Sequence, residues 1–250
     1  MKKRLLIDIG NSRLKWCIAT DDRLGPQRAL VLGTGAFPDL SALLRAARRA
    51  QSVQVASVAG TATERRLSKA LHQAGLPAPR FIRSSPQAAG VRNGYREAGR
   101  LGVDRWVAAI GAWHESGRRA TCVIDIGTAT TVDVVDATGC HKGGLIVPGP
   151  ALMVESLLKG TEGIARGARG RRSRQTTGPA RDTFNAIRHG ALMATAALVE
   201  RAARDLRREH GRSATVYVTG GGADAILPLL EARVRHCPDL VLRGLALMDN

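Results

Sequence analysis

Two short stretches decide the fold: Leu5–Asn11 is LLIDIGN and Cys122–Thr128 is CVIDIGT. Each is a short apolar run that reaches an aspartate two residues before a glycine. A second run with strand-like alternation follows each turn, over Arg13–Ala19 and Thr131–Val135. The two copies lie almost half the chain apart. The sequence therefore predicts an internal duplication in which each half opens with a β-hairpin.

The pattern around the hairpins extends the duplication. A third strand is predicted in each half, at Ala29–Leu32 and at Gly143–Val147, and helices alternate with strands after it. This order indicates an α/β protein with two domains, approximately residues 1–100 and 101–250. Further strands are predicted at Val53–Val58, Phe81–Ile82 and Val216–Val218. Helices are predicted at Asp39–Ala50, at Thr63–Ala74, from Gly102 onward, from Pro179 onward and at Ala225–Ala232. The helix from Gly102 onward carries one apolar stripe of Val103, Trp106, Val107, Ile110 and Trp113.

Composition excludes several classes of protein. A hydrophobic fraction of 44% with 24% charged residues favours a packed chain over a disordered one. No apolar run approaches the ~20 residues of a membrane span, and the run after Met1 ends at Asp8, too early for an export signal. The four cysteines are scattered singly and the six histidines show no metal-like spacing. This fits a cytoplasmic protein with reduced thiols.

The formal net charge of +17 raises the alternative of nucleic-acid binding. Aromatic residues make up only 3% of the chain, which leaves few platforms for stacking bases. The densest basic cluster, residues 166–174, lies in the Arg- and Gly-rich stretch Gly163–Gly178, which we expect to be an exposed loop. Nucleic-acid binding is therefore the less favoured interpretation.

Both hairpin turns suit a polyphosphate. A glycine lets backbone amides approach phosphate oxygens, and an adjacent carboxylate such as Asp8 can hold hydrated Mg²⁺. The second turn adds hydroxyls at Thr128, Thr130 and Thr131. Either motif alone is equally compatible with an ordinary hairpin. The motif occurs in both duplicated halves, and Thr219–Gly222 adds a glycine-rich turn between a strand and a helix. Together these features predict two hairpins that face each other across a cleft for a nucleotide.

These residues resemble the acetate kinase, sugar kinase, Hsp70 and actin superfamily, and most closely type III pantothenate kinase. The matching motifs are Asp8-x-Gly-Asn-x-x-x-Lys15, Tyr95 followed by Gly102-Val103-Asp104-Arg105, and Asp125-x-Gly-Thr-x-Thr-Thr. Gly143-Gly144, Pro148-Gly149 and Thr183 ahead of Ala186-Ile187 match as well. Ala98 departs from the family pattern, in which a proline is expected, and the Arg-rich stretch resembles no family element.

The resemblance implies two duplicated actin-like (ribonuclease H-like) domains, each a mixed sheet flanked by helices, with ATP in the cleft between them. It implies ATP-dependent phosphorylation of pantothenate to 4′-phosphopantothenate, the first step of coenzyme A biosynthesis, in a homodimer whose substrate site lies at the subunit interface. The implied cofactors are ATP with Mg²⁺ and a monovalent cation, K⁺ or NH₄⁺. The implied ATP-binding residues are Asp8, Ile9, Gly10, Asn11, Ser12, Arg13, Leu14, Lys15 and Thr128. The implied substrate-binding residues are Tyr95, Gly102, Val103, Asp104, Arg105 and, from the neighbouring subunit, Thr183. Asp125 is the implied ligand of the monovalent cation and Asp8 a candidate for Mg²⁺.

Asp104 is the expected proton acceptor, since phosphoryl transfer needs a group that orients the attacking hydroxyl. It lies in the first turn of a predicted helix, where the dipole favours the ionised carboxylate. Under the alternative interpretation Asp104 only caps its helix and Arg105 is a first-turn surface residue. The alternative functions are a kinase of the same superfamily with another acceptor and a non-catalytic accessory or regulatory factor for transcription.

Overall fold

The computed structural model describes residues 2–21, 23–32, 39–167 and 178–248. Its strands are β1 (Lys3–Ile9), β2 (Arg13–Thr20), β3 (Arg23–Leu24), β4 (Arg28–Val31), β5 (Ser52–Ser57), β6 (Pro79–Phe81), β7 (Gln87–Ala88), β8 (Val91–Arg92), β9 (Thr121–Ile126), β10 (Ala129–Val135), β11 (His141–Pro148), β12 (Thr215–Thr219) and β13 (Arg235–His236). Its helices are α1 (Ser41–Ala47), α2 (Gly60–Gln73), α3 (Val103–Glu115), α4 (Pro150–Gly160), α5 (Glu162–Gly167), α6 (Thr183–His210), α7 (Ala223–Ile226) and α8 (Leu240–Ala246), with 3₁₀ turns at Ala98–Arg100 and Leu227–Leu229.

The described chain folds into two compact units. The first unit contains the residues up to Arg118, Ala137–Lys142 and the chain from Asp239 onward, so that the C-terminal helix α8 belongs with the N-terminal sheet. The second unit contains Arg119–Asp136 and Gly143–Pro238. Each unit therefore holds one of the two duplicated hairpin motifs.

The two sheets share one strand order. In the first, β2 and β1 form an antiparallel hairpin, and β5 and β6 follow β1 in parallel, while β3 and β4 both pair with β2. In the second, β10 and β9 form the hairpin, β12 and β13 follow in parallel, and β11 extends the other edge beside β10. The predicted duplication and the class of two mixed sheets flanked by helices are confirmed.

The central strand of each sheet is buried on both faces, which explains its unbroken apolar run. In β1, Leu5, Ile7 and Ile9 enter a core that α1 and α2 also build. In β9, Cys122, Ile124 and Ile126 enter a core with α6. Because successive side chains alternate between faces, Asp8 and Asp125 point to the opposite face of their sheets. Each aspartate is the penultimate residue of its strand.

On that opposite face of the first unit, α3 packs closely against α8. A Cβ atom at Gly111 of α3 would lie 2.8 Å from both Gly244 N and Leu240 O, and one at Gly244 would overlap the Val107 carbonyl oxygen. Arg4, 2% exposed, joins β1 to this layer by donating from Nη1 to Ala246 O at 3.0 Å. Glycine is needed at both positions because the backbone of α3 contacts the backbone of α8 directly.

Local patterns predicted several elements with wrong bounds. The long helix α6 begins at Thr183, not at Pro179, because the Asp182 side chain caps it. The irregular stretch Ser84–Arg100 contains the hairpin β7–β8 and a 3₁₀ turn that begins at Ala98. The predicted loop Gly163–Gly178 begins within α5, and most of the basic cluster 166–174 lies outside the described residues. The helix expected at Ala225–Ala232 is α7 with the 3₁₀ turn after it, and α4 and α8 carried no local prediction.

Within the described part of the chain, none of the helices combines the length and apolar character that crossing a membrane requires. This agrees with the absence of a long apolar run in the sequence.

We predict that Gly111→Ala lowers the free energy of unfolding by about 2 kcal/mol or more, because the added methyl group meets backbone atoms that cannot rotate away. Urea unfolding followed by circular dichroism measures the change. Gly163→Ala is the matched control, since Gly163 is also helical and a Cβ there would meet nothing within 4 Å. The control should leave stability unchanged or raise it slightly, and equal effects of the two substitutions would contradict the packing account.

Candidate active site

The first hairpin places the residues of the first motif around one tight turn. Gly10 N donates to Arg13 O at 3.0 Å, and this bond closes the turn between Ile9 and Leu14. Asp8 is 9% exposed and lies opposite Lys15 in the antiparallel register. Asn11, Ser12 and Arg13 are exposed at the tip. The motif thus presents backbone amides at its tip and one buried carboxylate and one lysine at its base.

The substrate motif comes together at the start of α3, also in the first unit. Arg105 is buried, with 8% of its surface exposed, and its Nη1 donates to Tyr95 Oη at 2.8 Å. Its guanidinium carbon lies 5.7 Å from the centre of the Tyr95 ring. The alternative in which Arg105 is an ordinary surface residue of the first turn is therefore wrong. The contact with Tyr95 gives this buried guanidinium group a fixed direction.

Asp104 lies beside this pair and is half-buried. Gly102 holds the N-cap position of α3, and the Asp104 Oδ1 atom accepts the Arg105 backbone N–H at 2.8 Å. Asp104 is therefore not the N-cap residue, although it satisfies one donor of the first turn. A Cβ at Gly102 would lie 2.8 Å from Asp104 Oδ1. The glycine keeps the space that the carboxylate occupies.

Two residues that support Tyr95 were not identified from the sequence. Asn93 Oδ1 accepts the Tyr95 backbone N–H at 3.0 Å, and its Nδ2 donates to Ser85 O and Ala98 O at 3.2 Å each. His141 is 1% exposed, and its ring centre lies 5.9 Å from that of Tyr95. No sequence signal placed a histidine from β11 beside this tyrosine.

The hairpin β7–β8 ahead of Tyr95 is held by two glycines and a tryptophan. Arg92 N donates to Gly139 O at 2.8 Å, and the Trp113 ring packs against Gly90 and Gly139, both with positive φ. A Cβ at Gly139 would lie 2.6 Å from Gly90 O. Side chains larger than hydrogen would push the hairpin off the ring. The segment that leads into Tyr95 is thus anchored to α3 through Trp113.

The second hairpin is surrounded by backbone in the second unit. Gly222 N donates to Ile126 O at 2.8 Å, and Gly149 N donates to Thr128 O at 2.9 Å. A Cβ at Gly220, whose φ is +94°, would overlap the Asp125 carboxylate and the Ile126 carbonyl. The Gly-rich turn after β12 therefore lies directly on the Asp125 turn. The predicted strand-to-helix turn at Thr219–Gly222 is confirmed, since β12 ends at Thr219 and α7 begins at Ala223.

The threonines of the second hairpin have different environments. Thr128 is exposed at the turn, whereas the Oγ1 atom of Thr130 is fully buried and has no hydrogen-bond partner in the described parts of the chain. A buried hydroxyl without a partner is costly in a folded protein. Thr130 pairs with Ile126 in the register of β9 and β10, so its side chain points to the same face as Ile126, into the core with α6.

Thr183 is the first residue of α6 and is half-buried. Asp182 caps the helix, because its Oδ1 accepts Asn185 N at 2.9 Å and its Oδ2 accepts Asn185 Nδ2 at 2.8 Å. A Cβ at Gly167 would lie 2.9 Å from Thr183 Oγ1, so α5 ends against this threonine. The cap fixes where the helix starts and hence where Thr183 is presented.

Metal-binding side chains do not cluster in the described ranges: no group of three or more His, Cys, Asp or Glu residues converges there. Asp8 and Asp125 are each a single carboxylate among backbone groups. Single carboxylates suit Mg²⁺ that is held mainly by substrate phosphates, or a weakly held monovalent ion.

The thiol nearest to the second motif is not reactive. Burial and, to a smaller extent, the Asp133 carboxylate raise the pKa of the Cys122 thiol to about 12. At neutral pH this group is a protonated core side chain. The chemistry of the site therefore rests on carboxylates, hydroxyls and guanidinium groups.

Duplicated sheets of this strand order define the class of actin-like, ATP-using folds. A crystal structure from Campylobacter jejuni, described as a Baf family transcriptional activator, aligns with a TM-score of 0.60 at 20% identity and covers 96% of this chain and 94% of that one. A ROK family glucokinase from Streptomyces griseus, solved with glucose and AMPPNP, aligns with a TM-score of 0.50 at 12% identity and covers 98% of each chain. At these identities the likeness shows the fold alone.

Comparison of amino-acid sequences is more specific than comparison of structures, because it identifies a family within this fold class. The model of the type III pantothenate kinase family matches residues 4–205. Proteins named type III pantothenate kinase from Nitrosococcus oceani and Thiobacillus denitrificans are 37% and 38% identical, each over 97% of this chain and 92% and 94% of their own lengths. The chain belongs to the type III pantothenate kinase family. It is accordingly a kinase of the alcohol-phosphorylating type, and the non-catalytic alternative is not favoured.

We predict that the stability contributed by the Asp182 cap depends on pH. The side-chain and backbone hydrogen bonds from Asn185 hold the pKa of this carboxyl below its ordinary value of 3.8. The contribution is therefore present in full above pH 3.8 and is lost as the pH falls through the lower, folded-state pKa. Urea midpoints should separate wild type from Asp182→Ala at pH 6, and the separation should shrink below pH 3.8.

Asp182→Asn is the control for this prediction, since asparagine is also a good N-cap residue but carries no titrating group. Its midpoint should stay close to that of wild type at pH 6. A difference between wild type and Asp182→Ala that is the same at both ends of the pH range would show that the ionised cap is not its cause.

Proposed function

We propose that this chain transfers the γ-phosphoryl group of ATP to the 4′-hydroxyl of pantothenate, with Asp104 as proton acceptor. The observation that carries the proposal is the arrangement at the start of α3. There a half-exposed carboxylate lies beside a buried arginine that hydrogen-bonds to a tyrosine. Pantothenate has an anionic end and a primary hydroxyl, and the arrangement offers one group suited to each.

Arg105 is the proposed partner of the pantothenate carboxylate. The bond to Tyr95 Oη fixes the plane of the guanidinium group. The guanidinium group is buried and presents paired N–H donors, and both properties strengthen a bidentate contact with a carboxylate. Tyr95 is itself held by Asn93, so the arginine and its support are ordered before substrate binds. Val103 and Gly102 contribute the backbone of the same turn.

Asp104 orients the 4′-hydroxyl and accepts its proton as the oxygen attacks the γ-phosphorus. A new oxygen–phosphorus bond forms while the bond to the β-phosphate oxygen breaks, and ADP leaves. The hydroxyl loses its proton late in a loose transition state, so a carboxylate of ordinary basicity suffices. The bond from Arg105 N to Oδ1 fixes the direction of the carboxylate.

The ATP-binding role of residues 8–15 and of Thr128 is part of the same proposal. The exposed residues at the tip of the first hairpin, Asn11, Ser12 and Arg13, and the exposed Thr128 of the second hairpin support it. Asp8 is the residue that would hold Mg²⁺, which neutralises charge on the phosphates when bound. Asp125, a single carboxylate close to the Ile126 carbonyl, would hold a monovalent cation such as K⁺ or NH₄⁺. A cytoplasmic location stays a prediction from the sequence.

We further propose a homodimer that forms through an apolar face of the second unit. Leu145 and Ile146 of β11 are 55% and 63% exposed, and no residue of the apolar helix α4 is buried. A groove of about 380 Å³ lies between α4 and α6, and Ala186 and Ile187 line it. These two residues lie one helical turn beyond Thr183. A second copy that covers the groove would therefore lie beside Thr183, as the family resemblance implies.

We predict that Asp104→Asn lowers kcat for pantothenate by roughly 10²- to 10⁴-fold, the range expected for loss of a positioned base. Asparagine can still accept the Arg105 N–H, so the fold should be unaffected. The measurement is ADP release with ATP and pantothenate, with and without K⁺. Activity that needs neither pantothenate nor K⁺ would argue against the proposed acceptor and cation.

Asp39→Asn is the matched control for Asp104→Asn. Asp39 is another carboxylate before a helix of the same unit, where it accepts Ser41 N at 2.8 Å. This control should retain full activity. If Asp104→Asn is as active as the control, Asp104 is not the base.

We predict that Leu145→Ser/Ile146→Ser converts the dimer into a monomer, because it removes two large exposed apolar side chains from the proposed interface. Sedimentation velocity should change from a species of twice 26.6 kDa to one of 26.6 kDa. Val31→Ser is the control, since Val31 is 71% exposed but lies in the first unit. A double variant that stays dimeric, or a wild-type chain that is monomeric at micromolar concentration, would refute the interface.

A further inference from the structure

A concave pocket of about 440 Å³ in the second unit is lined by five arginines. Arg119 precedes β9, Arg207 lies in the last turn of α6 and Arg212 follows that helix. Arg233 lies two residues before β13, and Arg235 is the first residue of β13. We call this set the arginine pocket. Its lining includes no acidic and no aromatic side chain from the described residues.

Ion pairs with neighbouring acidic side chains do not account for this cluster of arginines. The side chains of Arg212, Arg233 and Arg235 make no ion pair with any residue in the described ranges. The nearby acids have other partners: Asp205 pairs with Arg201 and Arg208, and Glu200 accepts two backbone N–H groups at positions 231 and 232. Like charges brought into one concavity repel each other, so the cluster favours an anion that neutralises it.

One arginine of the pocket has a structural role that the hydrogen bonds of the chain explain. Arg207 lies at the C-terminal end of α6, where the helix dipole favours a cation, and its Nη2 donates to the Arg233 carbonyl oxygen. This bond ties the end of α6 to the segment that carries Arg233 and Arg235. Arg119, Arg212, Arg233 and Arg235 lie outside that helix and project from three other parts of the chain.

The arginine pocket is at the other end of the second sheet from the Asp125 turn. Thr215, which lines the pocket, pairs with Thr121 at the start of β9, whereas Asp125 pairs with Thr219 at the carboxyl ends of the strands. Four residues of extended strand separate these positions by about 13 Å. The pocket is therefore a separate site within the second unit.

We propose that the arginine pocket binds a polyphosphate anion, a ligand with two or more linked phosphate groups. Guanidinium groups match phosphate oxygens with paired N–H donors, and several arginines in one pocket need several negative charges. The volume is that of a small-molecule site. Because no aromatic ring is available to stack on a base, the phosphates themselves are the recognised group.

The test uses the full chain and tripolyphosphate, with binding followed by isothermal titration calorimetry at low salt. Arg212→Gln/Arg235→Gln should raise Kd about tenfold or more, since two charge-assisted contacts are lost. Arg48→Gln/Arg49→Gln removes the same charge from two exposed positions of the first unit and should change Kd less than about twofold. Both variants should keep wild-type kinase activity, which shows that they are folded.

Pyrophosphate and ADP carry equal numbers of phosphates and distinguish the source of the ligand. Equal, arginine-dependent affinities support an inorganic polyphosphate, and tighter arginine-dependent binding of ADP supports a nucleotide. Equal Kd values for tripolyphosphate in wild type and in both variants would overturn the site. So would a short single-stranded DNA that binds more tightly than tripolyphosphate through the same arginines, because the surface would then be a nucleic-acid interface.

Discussion

Burial of the two central strands on both faces is the constraint on which the rest of the structure depends. A strand covered on both sides tolerates a charged side chain only near its end, where the turn that follows supplies polar partners. Asp8 and Asp125 occupy that place, each one residue before the end of its strand. The fold therefore restricts carboxylates in these strands to positions near the strand ends. The candidate carboxylates Asp8 and Asp125 accordingly lie at the carboxyl ends of β1 and β9.

Close backbone approach then brings the functional segments onto these strand ends. In the second unit, Gly149, Gly220 and Gly222 let two loops lie directly on the Asp125 turn. In the first unit, Gly111 and Gly244 let α8 lie on α3, the helix that carries the substrate motif. At Gly111, Gly149 and Gly244 glycine is required because the nearest atoms belong to backbone, which cannot move aside as a side chain can.

The high positive charge is distributed in three physically different ways. Some arginines form pairs that are exposed on both sides, such as Arg100 with Glu97 at 3.1 Å, and such pairs contribute little to stability. Arg4 and Arg105 are buried and held by oxygen atoms of the protein, so their guanidinium groups have fixed directions. The arginine pocket is a third case, in which several guanidinium groups share one concavity without an acidic lining. Net charge alone does not distinguish these cases.

The sequence by itself determined the duplicated hairpins, the two-sheet class and the family, because strand alternation, a glycine turn and motif order are local and visible along the chain. Tertiary structure alone decided that Arg105 is buried on Tyr95, that His141 supports that tyrosine and that α8 returns to the N-terminal sheet. It also assembled the arginine pocket from separate segments. These features depend on contacts between residues far apart in sequence, which leave no periodic signal. The start of α6 was missed for a smaller reason: a proline suits a helix start, but the hydrogen bonds of the Asp182 cap decided where the helix begins.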